Sequence, residues 1–330
     1  MIVVTGGAGF IGSNLIAALR AHKDHADQEI VVCDRLGQDD KWRNLAKHEV
    51  TDFVLPEQFF ETMTRLAPRV SAVVHLGAIS STVERDVDAI VENNFRFSLD
   101  LWDWCVRHGV RFLYASSAAT YGDGAQGFRD DASIEALARL RPLNAYGWSK
   151  NLFDRRVARL STTGRKPIQW AGLKFFNVFG PNEYHKGEMR SLIAKNYAQA
   201  AAGGSVRLFK SHDPRYRDGG QLRDFIYVKD AIDVVLWLLD EPDISGLFNV
   251  GTGQARSFAD LIGAMFHAIG QEPRIDYVDM PEALRAQYQY FTQADTGNLR
   301  AAGYRKPFTT LEAGVSDYVR NFLAKPDPYR

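Results

Sequence analysis

Residues 1–12 read MIVVTGGAGFIG, and this stretch decides the fold. An unbroken β-branched run, Ile2-Val3-Val4, ends on Thr5. It passes into Gly6-x-x-Gly9-x-x-Gly12, and a helical pattern follows to about residue 20. Continuous apolar strands belong to parallel sheets buried on both faces. Glycines at this spacing let the chain turn sharply and let the backbone approach a pyrophosphate. The N-terminus of the following helix then offers free N–H groups and a partial positive charge. The triplet is weak evidence alone. Here a second strand, 30–34, ends on Asp34, 22 residues beyond Gly12, where a carboxylate accepts hydrogen bonds from an adenosine ribose.

Outward from this unit, strands are expected at 71–77 (SAVVHLG), 110–116 (VRFLYAS) and 169–176. Helices are expected over 87–107 and 146–160. Alternating strands and helices give an α/β, doubly wound parallel sheet (Rossmann) with right-handed crossovers. The second half is less regular. Residues 177–187 and 210–223 read as loops, 225–240 as strand plus helix, 248–253 (FNVGTG) as strand and turn, and Ser257 as the N-cap of a helix to about residue 269. The expected division is a dinucleotide-binding domain over 1–176, with 225–250 returning to it. A smaller α/β substrate-binding lobe takes 177–224 and 251–330.

The composition narrows the function. Lys+Arg and Asp+Glu both number 40, which argues against nucleic-acid or membrane-surface partners. No apolar run suits a membrane span and the N-terminal residues lack signal-peptide features, so a cytoplasmic location is expected. Two cysteines, Cys33 and Cys105, make a disulfide framework or a cysteine zinc site improbable. No His or carboxylate spacing suggests a metal.

Tyr146-x-x-x-Lys150 places a phenol and an ammonium on one helix face. A nearby cation is expected to favour the phenolate and make a better base. Ser116 and Ser117 end the preceding strand and supply a hydroxyl to polarise a substrate oxygen. Arg35 and Lys41, close after Asp34, are cations able to hold a 2′-phosphate, which leaves NAD and NADP both open.

These residues resemble the extended short-chain dehydrogenase family. FLYASSAATYG (112–122), NAYGWSK (144–150), FFNVFGP (175–181), HKG (185–187), FNVGTG and YQYFTQAD (288–295) resemble its ADP-L-glycero-D-manno-heptose 6-epimerases over nearly the whole chain. The resemblance implies a nucleotide-sugar isomerase that supplies heptose for lipopolysaccharide and forms a homo-oligomer. It implies NADP as cofactor, with NAD possible. Gly6, Gly9, Phe10, Ile11 and Gly12 would sit at the pyrophosphate, and Asp34, Arg35 and Lys41 at the adenosine. Leu76, Gly77, Ala78, Ile79, Ser80, Asn93, Lys150, Val178 and Lys186 would line the cofactor. Ser117, Asn177, Glu188, Lys195, Phe209, Lys210, Ser211, His212, Arg223 and Tyr288 would contact the ADP-heptose. Tyr146 and Lys186 would be the two acid/base residues, assisted by Ser117 and Lys150. Leu76, Glu188 and Lys195 stand where enteric members carry Glu, Ser and His, and the 210–223 loop is longer.

Inverting a carbon without an acidic hydrogen is easiest through transient oxidation to a ketone, after which hydride returns to the other face. The oxygen then occupies two places, which calls for two acid/base groups. A UDP-hexose 4-epimerase is the nearest rival and would not require Lys186. Ala118-Ala119-Thr120 after Ser117 argue against a dehydratase, which carries Asp-Glu there. A non-catalytic dinucleotide sensor is the remote alternative, disfavoured by the retention of both Tyr146 and Lys150.

Overall fold

A computed structural model describes residues 1–285 and 288–330 of the chain. The strands are β1 (Ile2–Thr5), β2 (Ile30–Cys33), β3 (Asp52–Val54), β4 (Ala72–His75), β5 (Arg111–Ser117), β6 (Trp170–Phe175), β7 (Asn177–Phe179), β8 (Val206–Phe209), β9 (Leu222–Tyr227), β10 (Gly246–Val250), β11 (Ala255–Ser257) and β12 (Ile275–Val278). The helices used below are α1 (Phe10–Ala21), α2 (Phe97–His108), α3 (Ala145–Thr162), α4 (Leu192–Ala201), α5 (Val228–Asp240) and α6 (Phe258–Ala268).

The main sheet runs in the order β10-β6-β5-β4-β1-β2-β3, and every pair in it is parallel. Its central strands are buried at every position, as unbroken apolar runs require when helices cover both faces. The order reverses between β1 and β4, which opens a crevice beyond their carboxyl ends. Trp102 and Trp104 of α2 pack into the chain's own core, at 0% and 2% exposure. Cys33 and Cys105 are buried free thiols.

Three readings need correction. Residues 177–187 are more than a loop. They contain β7, which pairs in parallel with β9, and a 3₁₀ segment, Tyr184–Met189. β10 joins the main sheet, but the strand expected near 225 does not. As β9 it is the middle strand of a separate sheet, β11-β9-β7. β8 and β12 form a further parallel pair. The helix over 87–107 is interrupted by a π segment, Val91–Arg96, whose wider turn shifts the side-chain phase. The helix after Ser257 stands as read, closed by a capping box with Asp260. Among the described residues no helix is long and apolar enough to cross a membrane.

Candidate active site

The glycine turn is built by close contact. Gly6 sits at φ +67°, and a Cβ on it would lie 2.5 Å from the Gly77 nitrogen. A Cβ on Gly12 would fall 2.2 Å from the Gly6 oxygen. The turns after β1 and β4 therefore touch backbone to backbone. Helix α1 starts at Gly9 with no side-chain cap and no acid in its first turn, so its free N–H groups face the crevice undiluted. Asp34 closes the far end. Its Oδ2 accepts from the Ala8 N–H at 2.9 Å, and its Oδ1 from the Arg35 N–H and the Lys41 ammonium, both at 2.7 Å.

A cleft of about 730 Å³ gathers most of the expected residues. Gly6, Gly9, Phe10, Ile11, Gly12, Asp34 and Lys41 line one end; Leu76, Gly77, Ala78 and Ser80 form one wall. Ser117, Tyr146, Lys150, Asn177, Val178 and Lys186 line the middle, and Arg223 and Tyr288 the other end. A bare glycine cradle, an uncapped helix start and a carboxylate at the second strand end fit a dinucleotide's pyrophosphate and ribose.

Other expected residues lie elsewhere. Arg35 is outside the lining, its guanidinium paired with exposed Glu57. Asn93 bonds back to the Ala89 carbonyl and does not line the cleft. The π segment turns its neighbour inward instead: buried Asn94 accepts from the Ile79 N–H at 2.8 Å and donates to the Ile79 carbonyl and to Ser149 of α3. Ile79 is thereby a tether behind the wall and not part of it. Glu188 and Lys195 pair with each other at 3.0 Å outside the lining, so two departures from the family pattern are one contact. Phe209 packs edge-on against Tyr288 at 6.4 Å, and the His212 N–H donates to the Tyr290 hydroxyl. Lys210 faces Asp279 and the Ser211 N–H binds Asp218. Residues 209–212 thus form a layer behind Tyr288 rather than the cleft surface.

The electrostatics also depart from expectation. Lys150 does not lower the Tyr146 pKa. Burial raises that phenol above its ordinary value, the Asp154 charge adds to the rise, and only a hydrogen bond with Ser117 opposes it. The Lys150 ammonium is occupied by the Ala115 carbonyl at 2.8 Å, and burial brings its own pKa down to about 8. Lys186 lies 5.3 Å from the centre of the Phe10 ring; burial lowers its pKa, and buried Glu183 works against that. His185 is held neutral, pushed down to about 4 by burial and the Lys41 and Lys186 cations, with Asn44 3.2 Å from its Nδ1. At neutral pH Tyr146 carries its proton and Lys150 is mainly a cation, and burial makes both Lys150 and Lys186 release a proton more readily than a surface lysine does. At the end of the cleft opposite Asp34, the Arg223 guanidinium lies 5.5 Å from the rings of both Phe258 and Tyr288. Among the described residues no carboxylate pairs with it, which suits an incoming anion.

Motif reading missed the supports. Thr5 and His75 meet at 2.6 Å, His75 meets Ser98 at 2.8 Å, and the Gly77 N–H donates to Thr5. Asp224 accepts from the N–H groups of Thr252, Gly253 and Ala294, so FNVGTG and FTQAD are partly one structural clasp. The recurrence of short polar residues at strand ends was the available signal. Their partners are 23 to 72 residues away in sequence.

The chain matches the family described as NAD dependent epimerase/dehydratase over residues 2–251. It belongs to that family. The chain is 51% identical to the ADP-L-glycero-D-manno-heptose-6-epimerase of Nitratidesulfovibrio vulgaris, an alignment that covers 100% of both chains. The crystal structure of the Helicobacter pylori ADP-L-glycero-D-manno-heptose-6-epimerase superposes with a TM-score of 0.79 at 26% identity, covering 98% of this chain and 96% of that one. A Thermus thermophilus UDP-glucose 4-epimerase in complex with NAD gives 0.78 at 26% identity, covering 98% and 99%. The family chain is thus an enzyme of the isomerase class with a nicotinamide-dependent fold.

Proposed function

We propose that the chain inverts C6 of ADP-D-glycero-D-manno-heptose to give the L-glycero epimer, through transient oxidation at C6, with Tyr146 and Lys186 as the two acid/base residues. The observation that carries this reading is the convergence of Tyr146, Ser117, Lys150 and Lys186 on one cleft with the glycine cradle. The full-length similarity to named heptose epimerases supports the substrate. The cofactor in this reading is NADP, with Lys41 as the cation nearest Asp34; NAD fits the Asp34 carboxylate itself.

A bound nicotinamide dinucleotide supplies hydride acceptance and return, and its oxidised ring carries a positive charge that favours a phenolate nearby. The remaining work falls to the chain. Tyr146 and Ser117 hold the C6 oxygen in one orientation, with the proton moving at the phenol oxygen. Lys186 meets that oxygen in the other orientation and exchanges its proton at Nζ. Lys150, anchored on the Ala115 carbonyl, orients the cofactor side of the cleft. Arg223 and Tyr288 hold the diphosphate and nucleotide end.

The test is incubation of the purified chain with ADP-D-glycero-β-D-manno-heptose, without and with NADP or NAD, following the C6 epimers by NMR. The L-glycero epimer is the expected product. Lys186→Met should retain cofactor, measured by calorimetric titration, while turnover falls on the order of a hundred- to ten-thousand-fold. Near-normal turnover removes Lys186 from the acid/base role. Silence toward ADP-heptose together with turnover of a UDP-hexose would transfer the assignment to a 4-epimerase.

A further inference from the structure

Beneath Tyr146 and Lys150 lies a buried charge pair that the mechanism above leaves unused. Asp154 sits one helical turn beyond Lys150 and two beyond Tyr146, so the three share a face of α3. Its Oδ2 accepts from Lys174 of β6 at 2.6 Å and from Ser116 at 2.7 Å, and its Oδ1 from the Tyr114 hydroxyl at 3.0 Å. Lys174 also donates to Thr120 at 2.7 Å, and the Thr120 hydroxyl donates to the Ser117 carbonyl at 2.8 Å. The ammonium faces the Tyr121 ring at 5.1 Å. The two charged side chains are 1% and 0% exposed.

We propose that Lys174 and Asp154 are positioning residues for the acid/base site: they lock the strand end that carries Ser117 to the helix that carries Tyr146 and Lys150, and they set the electric field along that helix face. The inference rests on Tyr146 being an acid/base residue, as read above. Dehydrating two ions is costly, and well-packed apolar residues often replace such a pair without loss of stability. Stability alone is therefore a poor reason for this pair. Its hydrogen bonds instead reach the Tyr114 and Ser116 hydroxyls and, through Thr120, the Ser117 carbonyl, the strand end on which the Ser117 hydroxyl is carried.

The charges around the face are few. On α3 they are Lys150 and Asp154, with the Tyr146 phenol. β6 contributes Lys174, β4 the neutral His75, β5 the Tyr114 phenol, and the following turns the Tyr121 phenol and Asp130. Asp154 holds protons on both Tyr146 and Lys150.

The full chain is assayed for epimerisation against pH in Asp154→Asn, Lys174→Met and the double variant, with Tyr146→Phe alongside. Asp154→Asn should move the acidic limb of the kcat profile to lower pH and Lys174→Met to higher pH, each by on the order of one pH unit. The double variant should bring the limb back towards its original place. In each single variant kcat should fall about tenfold or more, with KM nearly unchanged. Unshifted profiles, or shifts in the same direction, overturn the proposal. If neither single variant folds, Asp154→Glu and Lys174→Arg decide, since they keep charge and displace geometry. A depressed kcat with an unmoved profile supports the proposal, and wild-type kcat in both overturns it. Full activity in Tyr146→Phe would instead defeat the acid/base reading. An inactive Tyr146→Phe beside an unshifted Asp154→Asn defeats only this inference.

Discussion

Replacing Gly6 by Ala tests the contact on which the cofactor cradle is built. Gly6 sits at φ +67°, and an added Cβ would lie 2.5 Å from the Gly77 nitrogen and 2.7 Å from the Leu76 carbonyl carbon. Neither side can retreat cheaply. The Gly77 N–H is bound to Thr5 Oγ1 at 3.2 Å, the Leu76 N–H to the Thr5 carbonyl at 3.0 Å, and the Gly6 N–H to the Cys33 carbonyl at 2.8 Å. The left-handed backbone costs an L-residue roughly 1–2 kcal/mol. Overpacking against fixed backbone adds about 1–3 kcal/mol, so the expected loss is about 2–5 kcal/mol. Gly37 supplies the control. It lies at φ +72° with nothing within 4 Å of a Cβ, so Gly37→Ala should lose only the backbone share, about 1–2 kcal/mol. The entropy that Ala removes from the unfolded chain is common to both and cancels in the comparison. Equilibrium urea unfolding of the two variants gives the difference. Calorimetric titration with NADP and NAD should show affinity reduced at least about tenfold in Gly6→Ala and unchanged in Gly37→Ala. Equal stability losses and equal affinities would refute the close approach of the two turns.

Further outcomes follow from the same geometry. Arg35→Ala should change NADP and NAD affinity by less than about twofold, because that guanidinium is engaged with exposed Glu57 and such pairs contribute little; Lys41→Ala should weaken NADP selectively in the same titrations. Burial, aided by the Lys150 charge, holds His75 down at about 3 against about 6.5 unfolded, so the folded state binds fewer protons. The stability this ring contributes is present above about pH 6.5 and lost as pH falls from there towards about 3, with a slope of about 1.4 kcal/mol per pH unit that urea midpoints in His75→Phe should lack. Ser257→Ala removes the side-chain cap on the Asp260 N–H, and should cost about 1 kcal/mol in urea unfolding while leaving turnover intact.

Much of the architecture was legible because it is local. The run Ile2-Val3-Val4 and the three glycines specify strand, turn and helix by side-chain volume and backbone freedom within a dozen residues. Ser257 with Asp260 specifies a helix start within four. Tyr146 and Lys150 share a face because a helix repeats every 3.6 residues. The placements that were misread depend on context: the π turn that exchanged Asn94 for Asn93, the assignment of β9 to a second sheet, and the withdrawal of residues 209–212 behind Tyr288.

By itself, then, the sequence determined the parallel α/β fold, the cradle with its acid at Asp34, and the residues able to do acid/base chemistry. Tertiary structure decided their state. It turned Arg35 outward to Glu57, moved the Lys150 ammonium onto the Ala115 carbonyl, and raised rather than lowered the proton affinity of Tyr146. It also brought Lys174, from a different strand, to Asp154 beneath the site. Burial and charge pairing depend on which distant segments close over a group, and no spacing within one segment records that.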